Sequence, residues 1–409
     1  MAASPFRVLR EPGVARVLAT ELLARFPAGM ISLSVLMHTE QTYGAYGPAG
    51  LCVAAIGVGQ AVCGPISSRL LSRFGMRPVL LATTIAASLS LFGIALVPGP
   101  LWVTILLALI MGITTPPITP AARTVFPTIV DGKKLTAVFA VDATLQELIW
   151  VLGPLVATGI ALFLSPQVGV IAAGLVLLVG AFAFTFSPEV SGVRPRKPKR
   201  RLGAVLRNPV VLVMTMLNLF MVGLFGGTET AVVAMYGHDR PEAGIAIGLS
   251  AVGSIIGGLL FGARPVSSRS LLLRAIPMVV GALMCCVWDN TIWVYAGFII
   301  TGLGCAPLLS GIYACVSSSV KFSQTPEAFA WMGSGQVIGS AIATAIAGPA
   351  IDVFGPVGGF ATGAIFGTLG IVLLIIAGGT VPDLSHGDAS PHPDTQPIET
   401  IRKAEPGAA

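Results

Sequence analysis

Charge is scarce in this chain. Asp, Glu, Lys and Arg make up 10% of its 409 residues, whereas a soluble domain carries about 25%, so an ordinary water-soluble globule is excluded. Histidine is scarcer still. His38 and His238 sit near the ends of apolar runs, and His386 and His392 lie near the C-terminus, so a histidine metal site is not expected. The six cysteines, Cys52, Cys63, Cys285, Cys286, Cys305 and Cys315, fall within apolar runs without metal-type spacing and read as small packing residues. There is no GxxxxGK[ST] loop to cradle a nucleotide phosphate, so ATP is not the expected energy source. HExxH and GxSxG are also missing, which leaves a membrane-embedded enzyme without its metal or nucleophile set. No cofactor is expected.

Long apolar runs fill the space that charge leaves. Hydrophobic residues make up 54% of the chain, and a bilayer core requires roughly 20 consecutive apolar residues per helix. Runs of that kind lie near 14–40, 47–67, 79–97, 101–122, 135–163, 167–188, 209–236, 243–263, 272–288, 292–319, 327–350 and 358–381. Lipid offers backbone polar groups no partner, so such segments must be helices. They are too long, and alternate too little, for the strands of a membrane barrel. The first run holds Glu21 and Arg25 and is too long for a leader's apolar region, so it is expected to remain as a span.

The basic residues set the orientation. Along a path of twelve crossings, Arg7, Arg10, Arg16, Arg69, Arg73, Arg77, Arg123, Lys133 and Lys134 fall on one side. So do the block Arg194 to Arg207, then Arg264, Arg269, Arg274, Lys321, Arg402 and Lys403. Arg240 falls opposite, and Arg25 falls within a span. An excess of Lys and Arg marks cytoplasmic loops, so both termini are expected in the cytoplasm of a multi-pass protein of the inner membrane. The block beside Pro195 and Pro198 reads as an anchor for anionic lipid headgroups; no nucleic-acid-reading module accompanies it. It divides the chain into a six-helix bundle over 1–188, a basic linker over 189–208 and a second bundle over 209–382. The segment 383–409, rich in Pro, Asp, Ser and Gly, is expected to be disordered.

A faint repeat relates the two bundles. An offset of 190 places Pro117 on Pro307, Phe139 on Phe329, Ala140 on Ala330 and Gln146 on Gln336. Internal repeats of this kind are common in transporters, with the substrate site between halves near the midplane. After the second span comes Ser68-Arg69-Leu70-Leu71-Ser72-Arg73-Phe74-Gly75-Met76-Arg77. Here the chain resembles the major facilitator superfamily over about 14–382. Arg73, Gly75 and Arg77 match that family's loop, while Ser68 replaces its Gly and Ser72 replaces its Asp. In the family that Asp helps latch the halves together, so the acidic member of the latch is missing at Ser72. On that resemblance, Ser72→Asp is expected to strengthen the closed state. Gly153-Pro154 resembles the end of the family's antiporter motif, and Gly348-Pro349, preceded by Gly335 and Gly339, resembles a second copy. Both pairs read either as bends in rocking helices or as points of close packing.

Ionisable groups inside a span are costly and usually face a cavity or a partner. Glu21 and Arg25 stand four apart with Glu first, the favourable order for an i,i+4 pair. They read as a structural pair, or as an anion-holding Arg25 beside a proton-exchanging Glu21. Asp142 and Glu147 point roughly 140° apart on one helix. Asp142 either pairs with Arg123 or takes part in proton exchange, and Glu147 lies deeper. Glu229 has no cation within a helical turn, so it reads as a proton carrier or as a residue of the opposite interface. Gln146, Trp150, Asn218, Tyr313, Trp331 and Gln336 are candidates for facing the substrate, or for packing between helices.

The resemblance implies an all-α membrane protein of twelve helices in two pseudo-symmetric six-helix bundles. It also implies a secondary transporter working by alternating access, similar to the drug and metabolite exporters. Proton-coupled efflux of a small organic molecule by a monomer is the expected activity. A proton-coupled importer of a sugar or organic acid is the alternative within the class. A membrane-embedded enzyme or a receptor is the remote one.

Overall fold

The computed structural model describes residues 5–44, 46–97, 99–191, 193, 202–236, 242–385 and 388–393. The basic residues Arg194, Arg196, Lys197, Lys199, Arg200 and Arg201, together with His238, Arg240, His386, Arg402 and Lys403, lie outside the described residues.

Among the described residues, twelve helices are long and apolar enough to cross a membrane: α1 (Val14–Tyr43), α2 (Pro48–Phe74), α3 (Met76–Leu96), α4 (Leu101–Ile129), α5 (Gly132–Phe163), α6 (Pro166–Phe186), α7 (Pro209–Tyr236), α8 (Glu242–Phe261), α9 (Ser268–Val287), α10 (Thr291–Ser319), α11 (Phe322–Phe354) and α12 (Pro356–Ile376). Among the described residues no strand forms; two isolated bridges, Val266 with Leu384 and Lys321 with His392, are the extended pairings. Several helices outrun their apolar cores toward the basic face. The motif after the second span is therefore largely helical: Ser68, Ser72 and Arg73 occupy the last turns of α2. The turn itself falls on Gly75, at φ 91°, a conformation that a side chain would strain.

Two helices are interrupted. α1 is made of Val14–Arg25 and Ala28–Tyr43, joined at Phe26-Pro27. α4 is made of Leu101–Ile113 and Ile118–Ile129, joined through Thr114 to Pro117. Proline lacks a backbone N–H and crowds the preceding turn, so Pro27 and the Pro116-Pro117 pair account for both breaks. At Pro307, which the repeat sets on Pro117, α10 stays helical.

α1 to α6 pack chiefly on one another, as do α7 to α12. The two sets meet mainly through α2–α11, α5–α10, α5–α8 and α4–α11. Small residues bring the helices close, as expected where lipid gives no hydrophobic drive to associate. A Cβ on Gly29 of α1 would meet the Ile149 carbonyl oxygen of α5, and one on Gly339 of α11 would meet the Leu219 carbonyl oxygen of α7. These are one crossing seen twice, because Gly29 and Leu219, like Ile149 and Gly339, stand 190 residues apart. Gly153 also packs on Gly29, whereas a Cβ on Gly348 would meet nothing. The two Gly-Pro pairs thus differ: Gly153-Pro154 is a packing point and Gly348-Pro349 is open, and both prolines lie inside continuous helices.

At its described residues, 383–385 and 388–393, the tail departs from the expected disorder. Leu384 donates its N–H to the Val266 carbonyl at 2.8 Å, and His392 donates to Val320 at 2.8 Å. Ala389 is fully buried. Backbone pairing to the loops of the basic face supplies the partners that composition could not foresee.

Candidate substrate cavity and its polar floor

The broken helices converge on a cavity of about 300 Å³ between the halves. Arg25 and Ala28 border the α1 break, and Thr115, Pro116 and Pro117 form the α4 break; all line it. Gln60 of α2, Gln146 and Trp150 of α5, and Ser334 and Gln336 of α11 add to its polar and aromatic lining, as do Ser68, Thr119, Arg123 and Phe329 toward the basic face.

Its floor carries a buried charge network. Arg25 Nη1 donates to Glu21 at 2.9 Å and to Asp142 at 2.7 Å, and Arg25 Nη2 donates to Gln146 at 2.5 Å. Asp142 also accepts from Arg123 Nε at 3.0 Å. Two carboxylates thus balance two guanidiniums, the arrangement that makes a buried charge tolerable. Glu21 keeps one buried oxygen without a partner in this network. The i,i+4 pair read in α1 therefore forms, and Asp142 joins both arginines rather than Arg123 alone.

Beneath the floor an aromatic plug closes the basic face. Arg123 stacks on the Tyr313 ring with its guanidinium carbon 3.5 Å from the centroid, a cation–π contact. Phe139, Tyr313 and Phe329 pack with centroids 6.0–6.1 Å apart. The repeat sets Arg123 on Tyr313 and Phe139 on Phe329, so the plug is two equivalent pairs meeting between the halves. Around it, Ser72 Oγ donates to the Ser323 carbonyl at 3.1 Å, and Ser334 Oγ donates to the Ala61 carbonyl at 3.2 Å. Arg69 approaches Glu327 at 3.7 Å. A charge pair does span the seam, but it is made by Arg69 and Glu327, one turn from Ser72. On the other side of the plug, Gly258 of α8 and Gly262, just past its end, lie against Thr144 and Ala140 of α5.

Leu71, Phe139 and Phe329 are buried where α2, α5 and α11 meet, so the cavity is closed off from the basic face.

The remaining candidates divide. Glu147 sits at the seam: it accepts from Cys305 Sγ of the second half at 3.4 Å. Glu229 is exposed on α7, within electrostatic range of Glu147. Three assignments to the substrate surface need correction. Tyr313 is fully buried within the plug. Asn218 is fully buried too, donating to the Met332 carbonyl at 3.1 Å and accepting from Gln336 at 3.4 Å. Trp331 turns away from the cavity and packs on Gly203 of the linker. Alternation between faces on one helix decides these cases, since Trp331 and Gln336 are five residues apart and so point about 140° from each other. Arg123 was seen in sequence only as a partner for Asp142. Glu327 was not singled out, although an acid at the start of an apolar run near the basic face was the available signal.

The profile of the Major Facilitator Superfamily matches residues 17–264 and 236–404. The chain belongs to this superfamily. As a member it is a transporter and not an enzyme, and its twelve helices make it a multi-pass membrane protein. A tetracycline resistance protein, class C, from Escherichia coli is 29% identical over 214 residues, covering 50% of this chain and 52% of the relative. The chain thus matches about half the length of that curated relative. Among solved structures, the human organic anion transporter MFSD10 superimposes with a TM-score of 0.68 at 14% identity, over 89% of this chain and 100% of that one. A bacterial homologue of the iron transporter ferroportin, in an outward-facing state with soaked iron, gives 0.69 at 15% identity, over 89% and 98%. At these identities the likeness is one of fold.

Proposed function

We propose that this superfamily member is a secondary active transporter that exports a small organic molecule in exchange for protons, by alternating access. The carrying observation is the placement of Glu147. Its carboxyl belongs to the first half and its hydrogen-bond donor, Cys305, belongs to the second. Any rocking of the halves changes what solvates this group, and a conformational equilibrium responds to whatever differs between its states. Glu147 therefore takes the role of proton carrier ahead of Glu229, which is exposed on α7, and of Glu21 and Asp142, which are tied to Arg25. Arg25, Gln146, Trp150 and Gln336 form the substrate surface. The basic face is the cytoplasmic one. One chain encloses the whole cavity, which supports a monomer as the working unit. The resemblance to a tetracycline resistance protein supports export of an organic molecule.

The test uses purified protein in liposomes. A screen of organic cations, acids and sugars by thermal shift supplies a ligand for counterflow. Glu147→Gln should abolish proton-driven flux and retain exchange at equal concentrations, because exchange requires no net proton movement. Full gradient-driven flux by Glu147→Gln would remove it as carrier. The same loss in Glu229→Gln or Glu21→Gln, with Glu147→Gln unaffected, would reassign the role.

A further inference from the structure

The C-terminal segment touches three loops of the basic face, and they do not all belong to the same half. Leu384 donates to Val266 in the α8–α9 connection at 2.8 Å. His392 donates to Val320 at 2.8 Å and accepts from Phe322 at 3.0 Å, at the α10–α11 connection. Both anchors lie in the second half. Between them, Ala389 donates to the carbonyl of Gly132 at 3.2 Å, and Gly132 begins α5 in the first half. Ala389 is fully buried there. A Cβ on Gly132 would overlap the Asp388 carboxylate and the Ser390 hydroxyl, so the glycine is what lets the tail lie flat on the end of α5.

The segment is stiffened for this path. Asp383 Oδ1 accepts from Ser385 N, and Asp388 Oδ1 accepts from Ser390 N, each at 2.9 Å. These are Asx turns that fix the backbone locally, and Pro391 and Pro393 restrict it further. Among the described residues, three backbone hydrogen bonds hold the segment to the second half and one, longer, holds it to the first. When the halves separate at this face, the Ala389–Gly132 contact is the one that must break.

We propose that the contacts of Leu384, Ala389 and His392 form a strap that holds the basic face closed, riding on the second half and releasing Gly132 when that face opens. The idea rests on the alternating-access reading, since a strap across a seam acts only if the seam moves. It assigns the tail a conformational role: it biases the resting protein toward the state open on the opposite side.

The test uses full-length protein with Cys305 changed to Ser, which keeps a donor for Glu147, its five other native cysteines changed to Ala, and a reporter cysteine at Ala140, which is buried against Gly262 in the seam; counterflow is measured on the protein with all native cysteines. Labelling by a polar maleimide in detergent reports opening at the basic face. Ala389→Glu places a charge where the structure has a buried methyl group, and Gly132→Val pushes Asp388 and Ser390 off the end of α5. Removal of 384–409 deletes the strap. Each should raise the labelling rate severalfold relative to the parent, whereas Ala389→Ser should stay near it. Gel filtration separates this from misfolding, and Gly132→Ala gives a milder step if Gly132→Val does not fold. Unchanged labelling in every folded variant, with counterflow intact in the native-cysteine protein, overturns the strap alone. Raised labelling in the variants, with no counterflow by the native-cysteine protein, keeps the strap and overturns the transport reading.

Discussion

Positions 190 residues apart hold different chemistry in the two halves. In the first half Glu21, Arg25, Arg123 and Asp142 form one buried ionic network. The repeat sets Val211, Thr215, Tyr313 and Met332 at those places, and none is charged. Gln146 and Gln336 survive in both halves and both line the cavity. Gln146 accepts from Arg25, while Gln336 donates to Asn218 at 3.4 Å. One scaffold therefore carries a charged wall and a neutral wall. The first half fixes its wall with ion pairs whose loss is expensive, and the matching wall of the second half relies on close packing and weak amide contacts.

The seams differ in the same way. α2 meets α11 through Ser72–Ser323, Ser334–Ala61 and Arg69–Glu327. α8 meets α5 through Gly258 and, just past its end, Gly262, and the repeat sets this pair on Ser68 and Ser72. The same two positions thus present hydroxyls on one seam and bare backbone on the other.

The sharpest way to break the comparison is to remove charge from the first half. Asp142→Ala leaves Arg25 and Arg123 buried with one carboxylate between them, and breaking such a set costs about 3–5 kcal/mol. Gln336→Ala, at the neutral wall, should cost about 1 kcal/mol. Thermal unfolding in detergent measures both, and equal losses would show that the ionic network does not anchor the first half.

Packing gives the next largest effect. Gly29→Ala and Gly339→Ala each drive a Cβ into a backbone oxygen, and such overpacking costs about 1–3 kcal/mol. Gly348→Ala meets open space and should be neutral or stabilising by roughly 0.5–1 kcal/mol, as for an alanine replacing glycine within a helix. Similar melting temperatures for all three would deny that the crossing near Gly29 and its counterpart near Gly339 are close contacts.

The seam gives the smallest. Arg69 is partly exposed, so Glu327→Gln should weaken closure by about 1 kcal/mol or less, read as faster labelling of a seam cysteine. Ser72→Asp should act in the same direction. Ser72 donates to a carbonyl, and a carboxylate cannot donate there. This reverses the expectation drawn from the family's loop. Slower labelling in Ser72→Asp would restore the acidic latch at that position.

The number of spans, the sidedness of the basic residues and the repeat were all legible in the sequence, because lipid forces long apolar helices and a duplicated bundle repeats its packing residues. Glu21 with Arg25 was legible because four residues make one helical turn. The rest was not local. Asp142 reaches Arg25 across 117 residues, and Glu147 reaches Cys305 across 158. Tyr313, Asn218 and Trp331 look like cavity residues in an apolar run, yet only packing between helices tells which face of a helix meets the opening and which meets the plug. The tail shows the limit most plainly. Its composition forbids a core of its own, so its order had to come from loops that the fold brings beside it. The sequence by itself determined what crosses the membrane and which side is basic, since those follow from transfer free energy residue by residue. The tertiary structure decided which charges neutralise one another, where the halves touch and what the tail holds, since those depend on distances that no spacing along the chain encodes.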